Sequence, residues 1–199
     1  MAKLLAAQPA NFLKTFSATT TYSGSVPGNY VLQHTLTQGI ATLSPSSFIL
    51  SGSYERGPMV WYDTMLADGY LVKNQTNGLT KWFRKYHLAK RSMRLFDVAI
   101  KYNSEIIAGG TSYNLSSQEN PDGILLTTDS NGHLKSVKLY PKQRISRIIV
   151  MKDKKVAILA LDSNRYAKLV LLDKDCNVLW SKNLSHQDLN CCRYFGYKL

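Results

Sequence analysis

Asp68-Gly69-Tyr70-Leu71-Val72-Lys73-Asn74-Gln75-Thr76-Asn77-Gly78 is matched, 54 residues later, by Asp122-Gly123-Ile124-Leu125-Leu126-Thr127-Thr128-Asp129-Ser130-Asn131-Gly132. The two stretches align without a gap and share Asp, Gly, Leu, Asn and Gly. The match runs on from Lys81 over Lys135 to Tyr86 over Tyr140. A third copy is read in Leu171-Leu172-Asp173-Lys174-Asp175-Cys176-Asn177, aligned on 125–131 with an offset of 46. After one deletion, Leu179 and Ser181 then fall on Leu134 and Ser136. The segments upstream agree as well: residues 48–54, 106–113 and 156–162 each carry an apolar run, with Gly52 in the first and Gly109-Gly110 in the second. A period of roughly 45–55 residues is that of four-stranded repeat units.

Each copy reads as the same series of strands. The first strands are expected at 39–43, 93–100 and 146–151, and the second in the apolar runs just named. The third strands are expected at 70–73, 124–127 and 169–172, and the fourth at 80–86, 134–140 and 178–184. β-Branched and aromatic residues fill these stretches. Asn77-Gly78 and Asn131-Gly132 are strong hairpin signals, read here as type I′ turns with positive φ at both central residues. Helical periodicity is weak. Its best candidate, 81–95, competes with the repeat alignment, which makes its first half a strand.

The segment 169–182, with Asp173-Lys174-Asp175-Cys176-Asn177 and Trp180, resembles the β-propeller repeat of quinoprotein-like and related families. There a strand, an Asp-x-x-x-Gly turn and a Trp-ending strand recur. Ile107-Ala108-Gly109-Gly110-Thr111 with Asp129-Ser130-Asn131-Gly132 resembles the same repeat. The resemblance covers about residues 40–185 and implies an interaction platform. The chain departs from the pattern in three places. Trp180 alone holds the usual Trp position, Val178 stands where the turn glycine is expected, and Trp82 falls one or two positions off.

The expected fold is therefore all-β: propeller-type repeats of four-stranded antiparallel blades, three or four in number. Residues 1–28, with Lys3 and Lys14 and no acidic residue, read as a tail or strap. Residues 29–199 read as one β-repeat domain with repeats at 39–86, 93–140 and 145–185. Residues 30–36 are a candidate last strand of a further blade, 12–21 another, and 192–199 a first strand, so the two ends together could supply a fourth blade. An open array would expose apolar faces and oligomerise.

The chain has 199 residues, 44% hydrophobic and 19% charged, with net charge +12. That composition argues against wholesale disorder. No run approaches ~18 apolar residues, so no transmembrane helix is expected. The apolar stretch 4–7 is short for a secretory signal, which points to the cytoplasm. The densest basic segment holds Lys81, Arg84, Lys85, Lys90, Arg91 and Arg94 among Trp82, Phe83, Tyr86 and His87. A second holds Lys135, Lys138, Lys142, Arg144 and Arg147. Both occupy the fourth strand and its exit. The candidate partner-binding residues are Trp82, Arg84, Lys85, Tyr86, Lys90, Arg91, Arg94, Arg144 and Arg147. Period-2 alternation places Trp82, Arg84 and Tyr86 on one face, with Lys81, Phe83 and Lys85 on the other. Some of these aromatics are therefore expected to pack on a neighbouring sheet.

Chemistry is sparse. Cys176, Cys191 and Cys192 are odd in number and suggest no disulfide framework. Asp173-x-Asp175-x-Asn177 lacks the glycine and final Glu of a calcium loop, and Gly109-Gly110 is followed by no phosphate-loop Lys. His34, His87, His133 and His186 form no metal-ligand spacing, and no nucleophile elbow is present. No catalytic residue, metal or cofactor is expected. The leading expectation is a non-enzymatic scaffold binding a protein partner, in particular an acidic one, through loops and a basic aromatic rim. The alternatives are a binder of nucleic acid or anionic lipid, and a small hydrolase or carbohydrate-binding module.

Overall fold

The computed structural model describes residues 31–58, 66–114, 121–164 and 166–184. The expected tail at 1–28 and the candidate strands at 12–21 and 192–199 lie outside the described residues. Within them the chain forms twelve strands and no helix. These are β1 (Val31–Ser44), β2 (Ser47–Pro58), β3 (Leu66–Gln75), β4 (Thr80–Tyr86), β5 (Arg91–Ile100) and β6 (Ile106–Asn114). There follow β7 (Asp122–Thr128), β8 (Leu134–Tyr140), β9 (Gln143–Val150), β10 (Val156–Asp162), β11 (Ala167–Leu172) and β12 (Val178–Asn183). They build three four-stranded antiparallel meanders, β1 to β4, β5 to β8 and β9 to β12.

Consecutive sheets stack face to face. β5 lies against β1, β2 and β3, and β9 lies against β5, β6 and β7. The arrangement fits an open propeller-like array. Each sheet thus has an entering face, toward the sheet before it, and a leaving face, toward the sheet after it. Ile49 and Leu71 of the first leaving face meet Leu95, Val98 and Ile106 of the second entering face. Ile107 and Leu125 meet Ile145, Ile148 and Ile158 one sheet further on.

The repeated Asp-Gly pair has a packing cause. A Cβ on Gly69 would lie 2.9 Å from two side-chain carbons of Leu95, and one on Gly123 would lie 3.0 Å from Ile145. Leu95 and Ile145 are the same repeat position, so glycine makes the hole that the next sheet's knob enters. Each first strand also carries a bulge at the same place, skipping Gln38, Phe96 and Ser146. The bulge explains why residues 31–36 are not a strand of another blade. They continue into β1 through a change of register, and the pairing with β2 resumes at Gly39. At the second bulge Asp97 spans two sheets: its carboxylate accepts from Ile148 N (2.8 Å) and from Val98 N (3.0 Å).

The turns differ from the type I′ expectation. Gly78 N donates to Gln75 O and Gln75 N to Leu79 O, with positive φ at Gly78 alone (83°). This is a type I turn closed by a bulge residue in the left-handed region, a three-residue connection. Four further hairpins repeat it, with Ser104, Gly132, Lys154 and Cys176 in the left-handed position. The third copy is therefore offset by 44 residues from the second in its third and fourth strands, not 46: Leu172 pairs with Val178 as Thr128 pairs with Leu134. Cys176 (φ 63°), not Val178, stands in the glycine's place. In the same register Trp82 and Trp180 are equivalent, since each sits opposite the same third-strand position.

Candidate interaction surface

A meander returns the chain to one end after every second strand. The fourth-strand exits, the first-strand entries and the second-to-third loops therefore share that end. Lys85, Lys90, Arg91, Arg94, Lys142 and Arg144 gather there by topology. Lys85 places its Nζ 3.3 Å from the ring centre of Tyr54. Lys90 is exposed, and Arg94 is half-buried in β5. Arg91 is engaged within its own sheet: Nε donates to Ser112 Oγ (2.8 Å) and Nη2 to Asp122 Oδ2 (2.5 Å). The other oxygen of Asp122 accepts from Lys142 N (3.2 Å), so one carboxylate ties together β5, β7 and the entry to β9.

Trp82, Arg84 and Tyr86 do share one face of β4, and that face rests on the second sheet. A Cβ on Gly132 would lie 2.9 Å from Arg84 Cγ and 3.0 Å from two ring carbons of Trp82. The Tyr86 hydroxyl donates to Gly132 O (2.8 Å). Tyr140 repeats the tie one sheet later, donating to Cys176 O (2.7 Å). Burial raises both phenol pKa values well above the ordinary tyrosine value. On the other face of β4, Phe83 stacks on Tyr70 with ring centres 5.4 Å apart. Arg147 lies exposed midway along β9, where its Nη1 donates to Ser146 O (3.1 Å).

At the cationic end, a cleft of about 300 Å³ opens beside β9 and β10, lined by Lys142, Gln143, Arg144, Leu161 and Asp162. Arg144 and Lys142 are exposed, and the Arg144 guanidinium lies 5.7 Å from the ring centre of Tyr113. The side-chain amide oxygen Oε1 of Gln143 is buried and has no hydrogen-bond partner among the described residues. Asp162 turns one oxygen onto its own loop, accepting from Asn164 N (2.9 Å) and Tyr166 N (2.8 Å). Gln143 and Tyr113 carry no sequence signal, because their place beside Arg144 arises from sheet pairing.

The opposite end carries lysines among carboxylates. Its cleft, also about 300 Å³, contains Lys101, Tyr102, Lys154 and Lys174. Glu105 pairs there with Lys101 (3.2 Å) and Lys135, and these bonds hold its carboxyl below the usual range, Lys135 contributing most. Asp129 and Asp173 cap their own turns. Hydrogen bonds from the His133 backbone and then its ring bring Asp129 down to about 2. His87 and His133 each bond an aspartate, Asp68 and Asp129. Among the described residues no three His, Cys, Asp or Glu are grouped to hold a metal ion. No helix there is long and apolar enough to cross a membrane.

No family model matches the chain, and no curated protein matches it. Among solved structures it is similar to a protein of unknown function from Bacteroides caccae. That match has a TM-score of 0.27 and 7% identity, covering 75% of this chain and 82% of the other. An overlap that low carries no functional argument.

Proposed function

We propose that the chain is a non-enzymatic binding scaffold that takes an acidic protein partner at the cationic end of its second and third sheets. The observation that supports this reading is the cleft beside β9, where exposed Lys142 and Arg144 flank the buried Oε1 of Gln143. A partner carboxylate satisfies the guanidinium and the ammonium together. Tyr166, exposed in the adjoining loop, offers the aromatic contact area typical of interface anchors.

A protein is favoured over single-stranded nucleic acid by the state of the aromatic rings. Base stacking needs free ring faces beside a row of cations. Beside this cleft Tyr166 offers one exposed ring where a nucleic-acid strand needs several, for Tyr113 lies under Arg144, Trp82 and Tyr86 are used between sheets, and Phe83 and Tyr70 stack on each other.

Fluorescence anisotropy with a labelled poly-glutamate peptide and a labelled single-stranded oligonucleotide of equal charge, over a salt series, tests the reading. The peptide is expected to bind, to weaken as salt rises, and to lose about tenfold in affinity when Lys142 and Arg144 are both replaced by Ala. Tighter binding of the oligonucleotide would move the reading to a polyanion binder. Binding of neither at low salt would remove both.

A further inference from the structure

The chain contains the same sheet-to-sheet seam twice, and among the described residues no further sheet lies against the first entering face or the third leaving face. We propose that two copies of this chain join head to tail, each third sheet's leaving face seated on the other copy's first entering face. The inference is independent of the acidic-partner reading, because its residues lie on the sheet faces and not at the cationic end.

Comparison of equivalent positions shows which side chains of these two faces stand exposed, while Tyr70 and Val72 at the centre of the first entering face are buried. Val98 and Ile148 of the second and third entering faces are 3% and 6% exposed, whereas Ile40, their counterpart in the first sheet, is 62% exposed. Phe83 also stands exposed on that face, where its counterpart Val137 packs into the first core. On the leaving side, Ala41 and Ala99 pack against the two cores, while their counterpart Ile149 is 64% exposed. Trp82 rests on the next sheet's turn, while its counterpart Trp180 is 46% exposed. Large apolar side chains thus occupy, at both ends, positions that are covered wherever a neighbouring sheet exists.

The choice of a second copy rests on how these two faces fit each other. In the internal seams a glycine hole, Gly69 or Gly123, takes a large knob, Leu95 or Ile145. At the ends both partners change together: the hole position holds Ala167, which carries the Cβ a glycine lacks, and the knob position holds Thr37, which is smaller. The volumes compensate across a seam that only two ends of the array can make. Two three-sheet arrays joined this way contain six sheets, within the roughly four to eight of closed propellers. Two equivalent heterologous contacts then close the pair. The new seam lacks the internal tyrosine tie, because Leu184 stands where Tyr86 and Tyr140 stand. It is therefore the weaker seam and opens on dilution.

Sedimentation equilibrium of the full chain tests this, with the entering-face variants Ile40→Asp and Phe83→Asp and the leaving-face variants Ile149→Asp and Trp180→Asp. The expected result is a dimer of the 22.4 kDa chain that dissociates reversibly on dilution. Each variant alone is expected to be a monomer with an unchanged β circular-dichroism spectrum. An equimolar mixture of Ile40→Asp with Ile149→Asp restores a dimer, because one seam in that pair is intact. A wild-type chain that stays monomeric at high concentration overturns the proposal, and shows the faces covered within one chain. A dimer that survives every variant, or monomeric variants that fail to complement on mixing, overturns it too.

Discussion

Gly78 and Gly132 occupy one turn position with nearly the same φ, 83° and 79°, yet they are not equivalent residues. An L-residue in the left-handed region costs roughly 1–2 kcal/mol, partly offset by the lower unfolded-state entropy of alanine. Around Gly78 no atom lies within 4 Å of an added Cβ, so Gly78→Ala is expected to cost only about 1 kcal/mol. Gly132→Ala must also displace Trp82 and Arg84, which adds about 1–2 kcal/mol of overpacking. Urea denaturation of the two variants measures the difference, and equal losses would contradict the packing of β4 on that turn. Asp129 titrates at the same turn. Its carboxyl is held at about 2, below its ordinary 3.8, by the hydrogen bonds it accepts from His133 and Asn131. A lowered folded pKa contributes stability above pH 4 that is lost as pH falls through 2. Asp129→Asn is therefore expected to flatten the stability-against-pH curve between pH 4 and 2, with no change of slope above pH 5.

At the scale of the element, the seams are held by two devices, a knob in a hole and a tyrosine tie. Tyr86→Phe and Tyr140→Phe each leave a carbonyl oxygen without its phenol, of Gly132 and Cys176 respectively. Each is expected to destabilise the fold by about 1–2 kcal/mol. The same burial predicts the alkaline behaviour. A raised folded pKa means full stability below pH 10 and a loss as pH rises beyond it, because the unfolded chain ionises first. Spectrophotometric titration should show at least three phenols, Tyr86, Tyr140 and the buried Tyr70, that resist ionisation near pH 10 in the intact fold; ionisation of Tyr86 and Tyr140 near pH 10 there would contradict the ties. The pairing of fourth strands with tyrosine ends was legible in the sequence, since Tyr86 and Tyr140 align at the repeat period. Their acceptors were not, because the hydroxyl crosses to a turn 46 residues away in one case and 36 in the other.

Among the described residues of the whole molecule, the second sheet packs on a neighbouring sheet through both faces and each outer sheet through one. Stability in a stacked array is a sum of units and seams, so the ends open first. Hydrogen exchange read by mass spectrometry is expected to find the slowest amides in β6 and β7 and the fastest in β12, whose side chains are all exposed. Uniform protection across the three sheets would contradict a chain of separable seams.

The all-β class, the four-stranded antiparallel repeat and most strand positions follow from the sequence alone, because alternation and turn chemistry act between residues close in the chain, while the start of β1 at Val31 does not. β4, β8 and β10 fall on the residues the repeat alignment assigns. The basic residues, too, were legible as one recurrent point of the repeat. What only the tertiary structure decided is which of them remain at the surface. Trp82 and Tyr86 are used between sheets, Arg84 rests its stem on the next sheet's turn but stays exposed, Arg91 is bonded inside its own sheet, and Lys142 and Arg144 are left at the mouth of a cleft. It also decided that Cys176 fills a glycine's place in the third copy, which moved that copy's register by two residues and brought Trp180 level with Trp82. The physical reason is the same in each case. Pairing and packing depend on partners from other sheets, and a side chain's own neighbours in sequence do not name them.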